Sequence, residues 1–455
     1  MRRRPATLKA LGLVAVLVLA VACREEPPAP VDEPEEETED ADDVTDEQAV
    51  GEPDDELVTD IGVTDEPCPE AINDDNGCIY LGIISDLSEG PFAPLTIPIT
   101  EAQQAFWQQV NEDGGIGGFD VDVTTHVRDN LFNPEVHNQA FQEIRGDVLA
   151  LAQSAGSPTT AAILDQLEEL EMIGTPIGFT SLWDFHDVIV QVGANYCTLG
   201  MNSVDYALGE LGSELSVGSV HYAGDMGEDV ARGVEIAAEQ HGLSYFGVET
   251  PAGTEEQGAA IDRVISESPD IVVVATGPAD ASVIIGEAVA RGYDGLFIGT
   301  IGTWQPGFLD SPASEAFKEN YVQSMPWGPW ETDTPGHEAV REALGDAEPN
   351  DIYVTGWMYQ YPIKAAIETA IEQGDLTPSG LLDALTSLET TDFEGILPPE
   401  AGNYAADLNE RAFRESVIAE VDEDSATGIS VLEDFYEGEV AADFEFTEPC
   451  FQMED

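Results

Sequence analysis

Residues 271–299 read IVVVATGPADASVIIGEAVARGYDGLFIG. Ile271 to Ala275 is an apolar, mostly β-branched run without a polar face, the pattern of a strand covered on both sides. Gly277-Pro278 breaks the run, and Asp280 to Arg291 then carries apolar residues at helical spacing before a second short strand, Leu296 to Gly299. A strand, a helix and a strand in such close succession form a crossover unit, so the two strands run parallel.

The same rhythm extends in both directions. Immediately upstream it predicts strands at Val217 to Tyr222 and Ser244 to Val248 and helices at Asp229 to His241 and Gln257 to Ser266. An earlier series begins at Ile79 to Ser85 (IYLGIIS). It continues through a helix at Pro98 to Glu112, a strand at Val121 to Val127, a helix at Pro134 to Arg145 and a strand at Val148 to Leu151. A helix at Thr159 to Leu170 and a strand at Met172 to Ile177 close it. Val188 to Val192 and a helix near Ser203 to Leu211 lead from one series to the next. Helices at Asp351 to Gln373 and Leu381 to Leu388 and strand signals at Ala412 to Val421 and Ile429 to Phe435 follow. The fold class is α/β, with two lobes each built on a mostly parallel sheet flanked by helices.

Charge removes one class of function. The 455 residues hold 15 Lys and Arg against 91 Asp and Glu, for a net charge of −76. Binding nucleic acid requires a basic face that displaces counterions from phosphates, and Lys9, Lys318 and Lys364 are the only lysines. No nucleic-acid partner is expected. Such a charge suits an ion-rich habitat, where screening moderates self-repulsion.

The first residues read as an export signal. Arg2, Arg3, Arg4 and Lys9 precede a 12-residue apolar run, Ala10 to Val21, which as a helix spans about 18 Å and falls short of a bilayer core of about 30 Å. Leu19-Ala20-Val21-Ala22-Cys23 resembles a lipoprotein cleavage site, so residues 1–22 are expected to be removed and Cys23 to carry lipid. Ordinary signal cleavage, leaving a soluble secreted protein, is the alternative. Residues 24–67 hold 20 acidic residues, one Arg and no aromatic residue, which predicts a disordered tether over 23–67. The acid run lacks the Asp-x-Asp-x-Asp-Gly pattern that wraps calcium.

Cys68, Cys78, Cys197 and Cys450 remain, an even number that fits an oxidising compartment and allows three pairings. Proximity in sequence favours Cys68 with Cys78, which leaves Cys197 for Cys450. The absence of C-x-x-C and of paired histidines argues against a metal site.

Catalytic motifs find no support. The glycines of Gly114 to Gly118 follow a helix and precede a strand, the reverse of a dinucleotide loop. Ser157 lies in Ser-Ala-Gly-Ser-Pro, not in a Gly-x-Ser-x-Gly nucleophile elbow. The six histidines (126, 137, 186, 221, 241 and 337) share no ligand spacing and read as scattered surface residues. No cofactor is expected. The suggestive segment is the strand-to-helix junction Ser154 to Thr160, where Ser157, Pro158 and Thr159 open a helix and offer donors to a small anion, though a plain helix cap uses the same residues. Gly178-Phe179-Thr180-Ser181 follows the next strand at the same sheet edge, where open α/β folds bind ligands.

At this point the chain resembles the type I periplasmic solute-binding proteins, the branched-chain amino acid and amide receptors of ABC transporters. The resemblance is carried by Leu81 to Ala93 as opening strand and Gly-Pro loop, Asn111 to Gly118 as an N-x-x-GG turn, Asp225-Met226-Gly227, Gly286 to Gly299 and Tyr353 to Ala370. It implies a Venus-flytrap of two lobes joined by three crossovers. Lobe 1 would comprise residues 79–193 plus 326–405, and lobe 2 residues 194–325 plus 406–455. It also implies a monomeric, non-enzymatic receptor that closes on a zwitterionic amino acid and delivers it to permease subunits.

Position by position, Ser157 falls where the family binds the ligand carboxylate, Thr180 where it helps hold the ammonium, and Asp280 where an acidic residue faces that ammonium. Thr159, Phe92, Phe179 and Trp304 complete the expected pocket. Met226 stands where the family usually has Tyr, Leu95 where it has an aromatic residue, and Asp280 where Glu is commoner. A same-fold binder of a neutral amide, urea derivative or aromatic acid is the alternative, as is a sensing or adhesion module uncoupled from transport.

Overall fold

The computed structural model describes residues 57–452 apart from residue 89. The expected signal peptide, Cys23 and most of the expected tether lie outside the described residues. Two parallel-rich sheets organise the chain. The first is centred on strand Gly77–Ser85, whose residues are buried except Tyr80 and which pairs in parallel with Phe119–Asp122, Val127–Asp129 and Ala150–Ser154. The second runs, in spatial order, Ile429–Glu437, Glu415–Val421, Tyr321–Met325, Leu296–Gly299, Ile271–Ala275, Ser216–His221 and Ser244–Glu249. Its last five strands are parallel and its first two complete an antiparallel edge. Ile271–Ala275 is buried throughout, which agrees with its apolar run.

The chain passes between the sheets three times: after Ile189, after Met325 and before Glu415. Strand Tyr321–Met325 and helix Pro335–Leu344 had no signal strong enough to predict them. Where predicted elements differ, local chemistry explains it. The single strand expected over Val121 to Val127 is interrupted because the Asp122 carboxylate accepts from the Thr124 and Thr125 N–H groups at 2.7 and 2.8 Å, closing a turn. The segments at Met172 to Ile177 and Val188 to Val192 join the sheet only through bridges at Gly174 and Ile189. Pro176 has no N–H with which to extend that ladder. Pro362 likewise coincides with the division of the long helix into Ile352–Met358 and Gln360–Gln373, since it cannot donate to the carbonyl of Met358.

The tether reading requires correction at its end. Val58–Thr59 pairs with Asp375–Leu376, and Val63–Thr64 pairs with Ile79 and Cys78. Leu57, Ile61 and Val63 pack against the core of the first lobe. The acidic average over 44 positions concealed this short apolar stretch. Cys68 is bonded to Cys78 and Cys197 to Cys450, the pairing that proximity favoured. The histidines were also misread: His137 and His337 are buried, and burial lowers their pKa values to about 3 and about 4, so both are neutral. No helix among the described residues is long and apolar enough to cross a membrane.

Helices Tyr196–Leu211 and Asp225–His241 cross at two glycines on the second lobe. A Cβ on Gly233 would stand 2.0 Å from the Cys197 carbonyl oxygen, and one on Gly200 would stand 2.3 Å from that of Val230. Backbone meets backbone there, so no side chain can give way. Gly233→Ala is therefore expected to destabilise the protein by roughly 1–3 kcal/mol, read as a lower urea midpoint at unchanged slope; a midpoint equal to wild type would show that the helices separate freely.

Candidate ligand-binding cleft

Between the lobes lies a cavity of about 190 Å³ at the carboxyl ends of both sheets. Four loops of the first lobe build one wall. Asp86 accepts from the Gly90 and Phe92 N–H groups at 3.0 and 2.9 Å, folding the first loop so that Phe92, Leu95, Thr96 and Ile99 face the cavity. Asn130 accepts from the Phe132 N–H at 2.8 Å and donates to the Ala155 carbonyl at 3.1 Å, which binds the second loop to the third. With the Asn130 amide so oriented, its nitrogen also donates to His137 Nδ1 at 3.0 Å, leaving Nε2–H to donate to Ser154 Oγ, also at 3.0 Å. A neutral, buried imidazole thus links the loops bearing Phe132 and Ser157. The fourth loop supplies Ile177, Gly178 and Phe179.

The second lobe contributes Tyr222, Ala223, Asp225, Met226, Gly227, Ile301 and Gly302, while Tyr196, Trp327, Ile352 and Thr355 line the cavity near the crossovers. The lining is apolar on both sides. Among the described residues it includes one carboxylate, Asp225, and no Lys, Arg or His. Asp225 is half-buried in the cavity wall, and burial raises its pKa against the opposing effect of the nearby Ser157 hydroxyl. Ser157 and Asp225 line the cavity from opposite lobes.

Of the predicted site residues, Phe92, Ser157, Phe179 and Met226 line this cavity. Four others do not. Thr159 turns its hydroxyl to the Gly156 carbonyl at 2.8 Å, within its own helix start. Thr180 is buried and caps the turn Ser181–Phe185. Asp280 stands behind the wall, accepting from Tyr222 Oη at 2.5 Å and Gly253 N–H at 2.9 Å. Trp304 packs against Phe308, Phe317 and Tyr321 in the second lobe's core and donates to the Thr427 carbonyl at 2.9 Å. Sequence reasoning missed Asp225 and Phe132 as site residues. Asp225 could have been found as the acid beginning the Asp225-Met226-Gly227 match; Phe132 carries no local signal.

Below Asp225, one helical turn on, Asp229 makes a hydrogen-bonded connection across the lobes. Its carboxylate accepts from Ser181 N–H at 2.6 Å and Ser181 Oγ at 2.8 Å. Ser181 Oγ in turn accepts from the Cys450 N–H at 2.8 Å. The sulfurs of Cys197 and Cys450 lie close to this carboxylate, but their disulfide leaves no thiolate for a metal.

Two lobes closing on an apolar cavity at the strand carboxyl ends, with three chain crossings behind it, define a two-lobed solute-binding protein. The periplasmic binding protein family model matches residues 79–426, about three quarters of the chain, and the chain belongs to that family, as a type I solute-binding protein of ABC transporters. Proteins of this family bind small molecules outside the cytoplasm for ABC permeases and are not enzymes. Among solved structures, a fatty acid ABC transporter substrate-binding protein from Thermomonospora curvata is 27% identical with a TM-score of 0.75, covering 85% of this chain and 97% of its own. A branched chain amino acid ABC transporter protein from Thermus thermophilus with bound valine is 17% identical, TM-score 0.66, covering 80% and 98%. A solute-binding protein from R. palustris in complex with 4-hydroxybenzoate is also 17% identical, TM-score 0.64, covering 79% and 97%. No protein of curated function matches in sequence.

Burial and the nearby Asp225 push the Asp229 pKa up to about 7, although hydrogen bonds from Ser181 oppose the shift. A carboxyl whose folded pKa lies above its unfolded value of about 3.9 binds more protons folded than unfolded, so stability falls as pH rises between about 4 and 7. Asp184 and Asp351, each raised to about 6 by burial, act in the same direction. Melting temperature is expected to decline across that window, and Asp229→Asn to reduce the slope; a variant as steep as wild type would assign the slope to other groups.

Proposed function

We propose that this protein is the exported receptor of an ABC importer for a small monocarboxylic acid with a dominant apolar body. The observation that carries this reading is the lining: apolar on both lobes, with Ser157 and one burial-raised carboxyl, Asp225, as adjoining polar groups. The apolar body displaces water from both walls, and each buried CH₂ contributes about 0.8 kcal/mol. A carboxylate head meets the Ser157 hydroxyl and the protonated Asp225, which together hold it through a shared proton without a basic side chain. The likeness to the Thermomonospora curvata fatty acid protein supports this class. Lipid on Cys23 would hold a monomeric receptor at the outer face of the membrane, and hinge closure would present the loaded form to the permease.

A branched-chain or related amino acid is the second reading, favoured by the juxtaposition of Ser157 with an acid. Asp225 would then take the role that the sequence reading gave Asp280, as ionised partner of the ammonium, while Ser157 holds the carboxylate. The two ligand classes have opposite pH dependence. Binding a carboxylate to protonated Asp225 weakens as pH rises through the elevated Asp225 pKa, by up to about tenfold per unit; binding an ammonium strengthens.

Calorimetric titration with straight-chain fatty acids, aromatic monocarboxylates and branched-chain amino acids across pH separates them. The acid reading expects Asp225→Asn to bind fatty acid within about tenfold of wild type with a flattened pH profile. An amino acid that binds more tightly with rising pH and is lost by about 30-fold or more in Asp225→Asn would replace it.

A further inference from the structure

Six non-glycine residues among those described adopt positive φ. Glu171 and Ser268 end helices, and the Glu394 N–H is held by the Asp392 carboxylate in a turn, positions where a left-handed residue is ordinary. The other three are apolar: Phe132 at φ 52° and Ile177 at 47° line the cleft, and the exposed Leu131 at 51° precedes Phe132 in its loop. Left-handed geometry drives Cβ against the carbonyl oxygen, and for a β-branched side chain such as Ile177 it is an outlier that persists only where surrounding contacts impose it.

Those contacts are present. Asp129 accepts from the Leu87 and Leu131 N–H groups at 3.1 and 3.0 Å, and Asn130 from Phe132 N–H at 2.8 Å, fixing both left-handed residues of the loop. The Phe132 ring then lies against Phe92, with centroids 4.2 Å apart, and over Gly156, where a Cβ would stand 2.4 Å from Cε2. Gly156 N–H donates to the Pro176 carbonyl at 2.9 Å, tying this surface to the residue before Ile177. Polar or glycine residues would relieve the backbone at each position, yet the chain places Leu, Phe and Ile there.

We infer that Phe132 and Ile177 form a strained apolar wall that determines specificity by limiting the length and shape of the ligand's apolar body. This rests on the reading of the cleft as the site of an apolar-bodied solute. The strain is held by hydrogen bonds outside the cavity, so the wall stands before ligand arrives.

The experiment compares full-length wild type with Ile177→Gly, Ile177→Asn and Phe132→Gly, since glycine and asparagine accept the left-handed backbone. Ligand-free melting temperatures and calorimetric affinities for straight-chain acids from butanoate to dodecanoate are read together. The wall predicts variants that melt at or above wild type without ligand, bind the wild-type's preferred acid at least about tenfold more weakly, and shift preference toward longer acids. Variants that melt several degrees lower without ligand, or that keep the wild-type chain-length profile, would overturn it. Should wild type respond to leucine and to none of the acids, the monocarboxylate reading falls by itself. The wall is then tested by the same variants through a shift in preference from leucine toward phenylalanine, and an unshifted preference overturns it.

Discussion

The cleft depends on a neutral histidine. His137 bridges Asn130 and Ser154 at 3.0 Å on each side, and the two residues belong to loops that present Phe132 and Ser157. Burial keeps the imidazole uncharged, so one nitrogen accepts while the other donates, and this asymmetry fits an amide nitrogen on one side and a hydroxyl on the other. A charged imidazole would present two donors and face the Asn130 N–H₂ with a third. The loops carrying the cleft wall are thereby set by a proton location buried inside the lobe.

The α/β class and the two-lobed plan were legible because buried parallel strands leave near-continuous apolar runs, as at Ile271–Ala275 and Gly77–Ser85. What the sequence concealed were interactions between residues far apart. Asp280 and Trp304 occupy positions where the resemblance placed a ligand, but Asp280 is engaged by Tyr222 and Gly253, and Trp304 by an aromatic cluster and the Thr427 carbonyl. Neither engagement has a local signature. Ser157 was legible because a Gly-Ser-Pro opening at a strand's end is itself a structural signal, and the same holds for Phe179 beside Gly178. Phe132 lies in a loop whose left-handed backbone is imposed by Asp129 and Asn130, a geometry that composition would assign to glycine or asparagine.

Charge and burial act on different scales here. From residue 68 onward the chain holds 10 basic and 71 acidic residues, yet the cavity lining contributes one carboxylate. Exposed acids are screened within about 8 Å at physiological salt and within about 3 Å at 1 M. Asp225 is screened less, because it is half-buried in the cavity wall. In an ion-rich medium the acidic surface therefore exerts little long-range influence on an approaching solute, while the half-buried acid acts at contact.

This separation bears on how the proposed carboxylate head would be held. A basic residue in the cleft would supply attraction, but among the described lining residues there is none, and an arginine or lysine there would be drawn toward Asp225. In the proposed reading, the burial that raises the Asp225 pKa favours its neutral form, which requires no counter-charge and would donate one hydrogen bond to the carboxylate of the ligand. In that reading, closing the lobes would remove water from this bond and strengthen it, with Ser157 and Asp225 facing the same cavity from opposite lobes. Recognition of the proposed head group and closure of the cleft would then be the same event, and the apolar walls, which gain from losing water whatever the salt, would supply the remaining affinity.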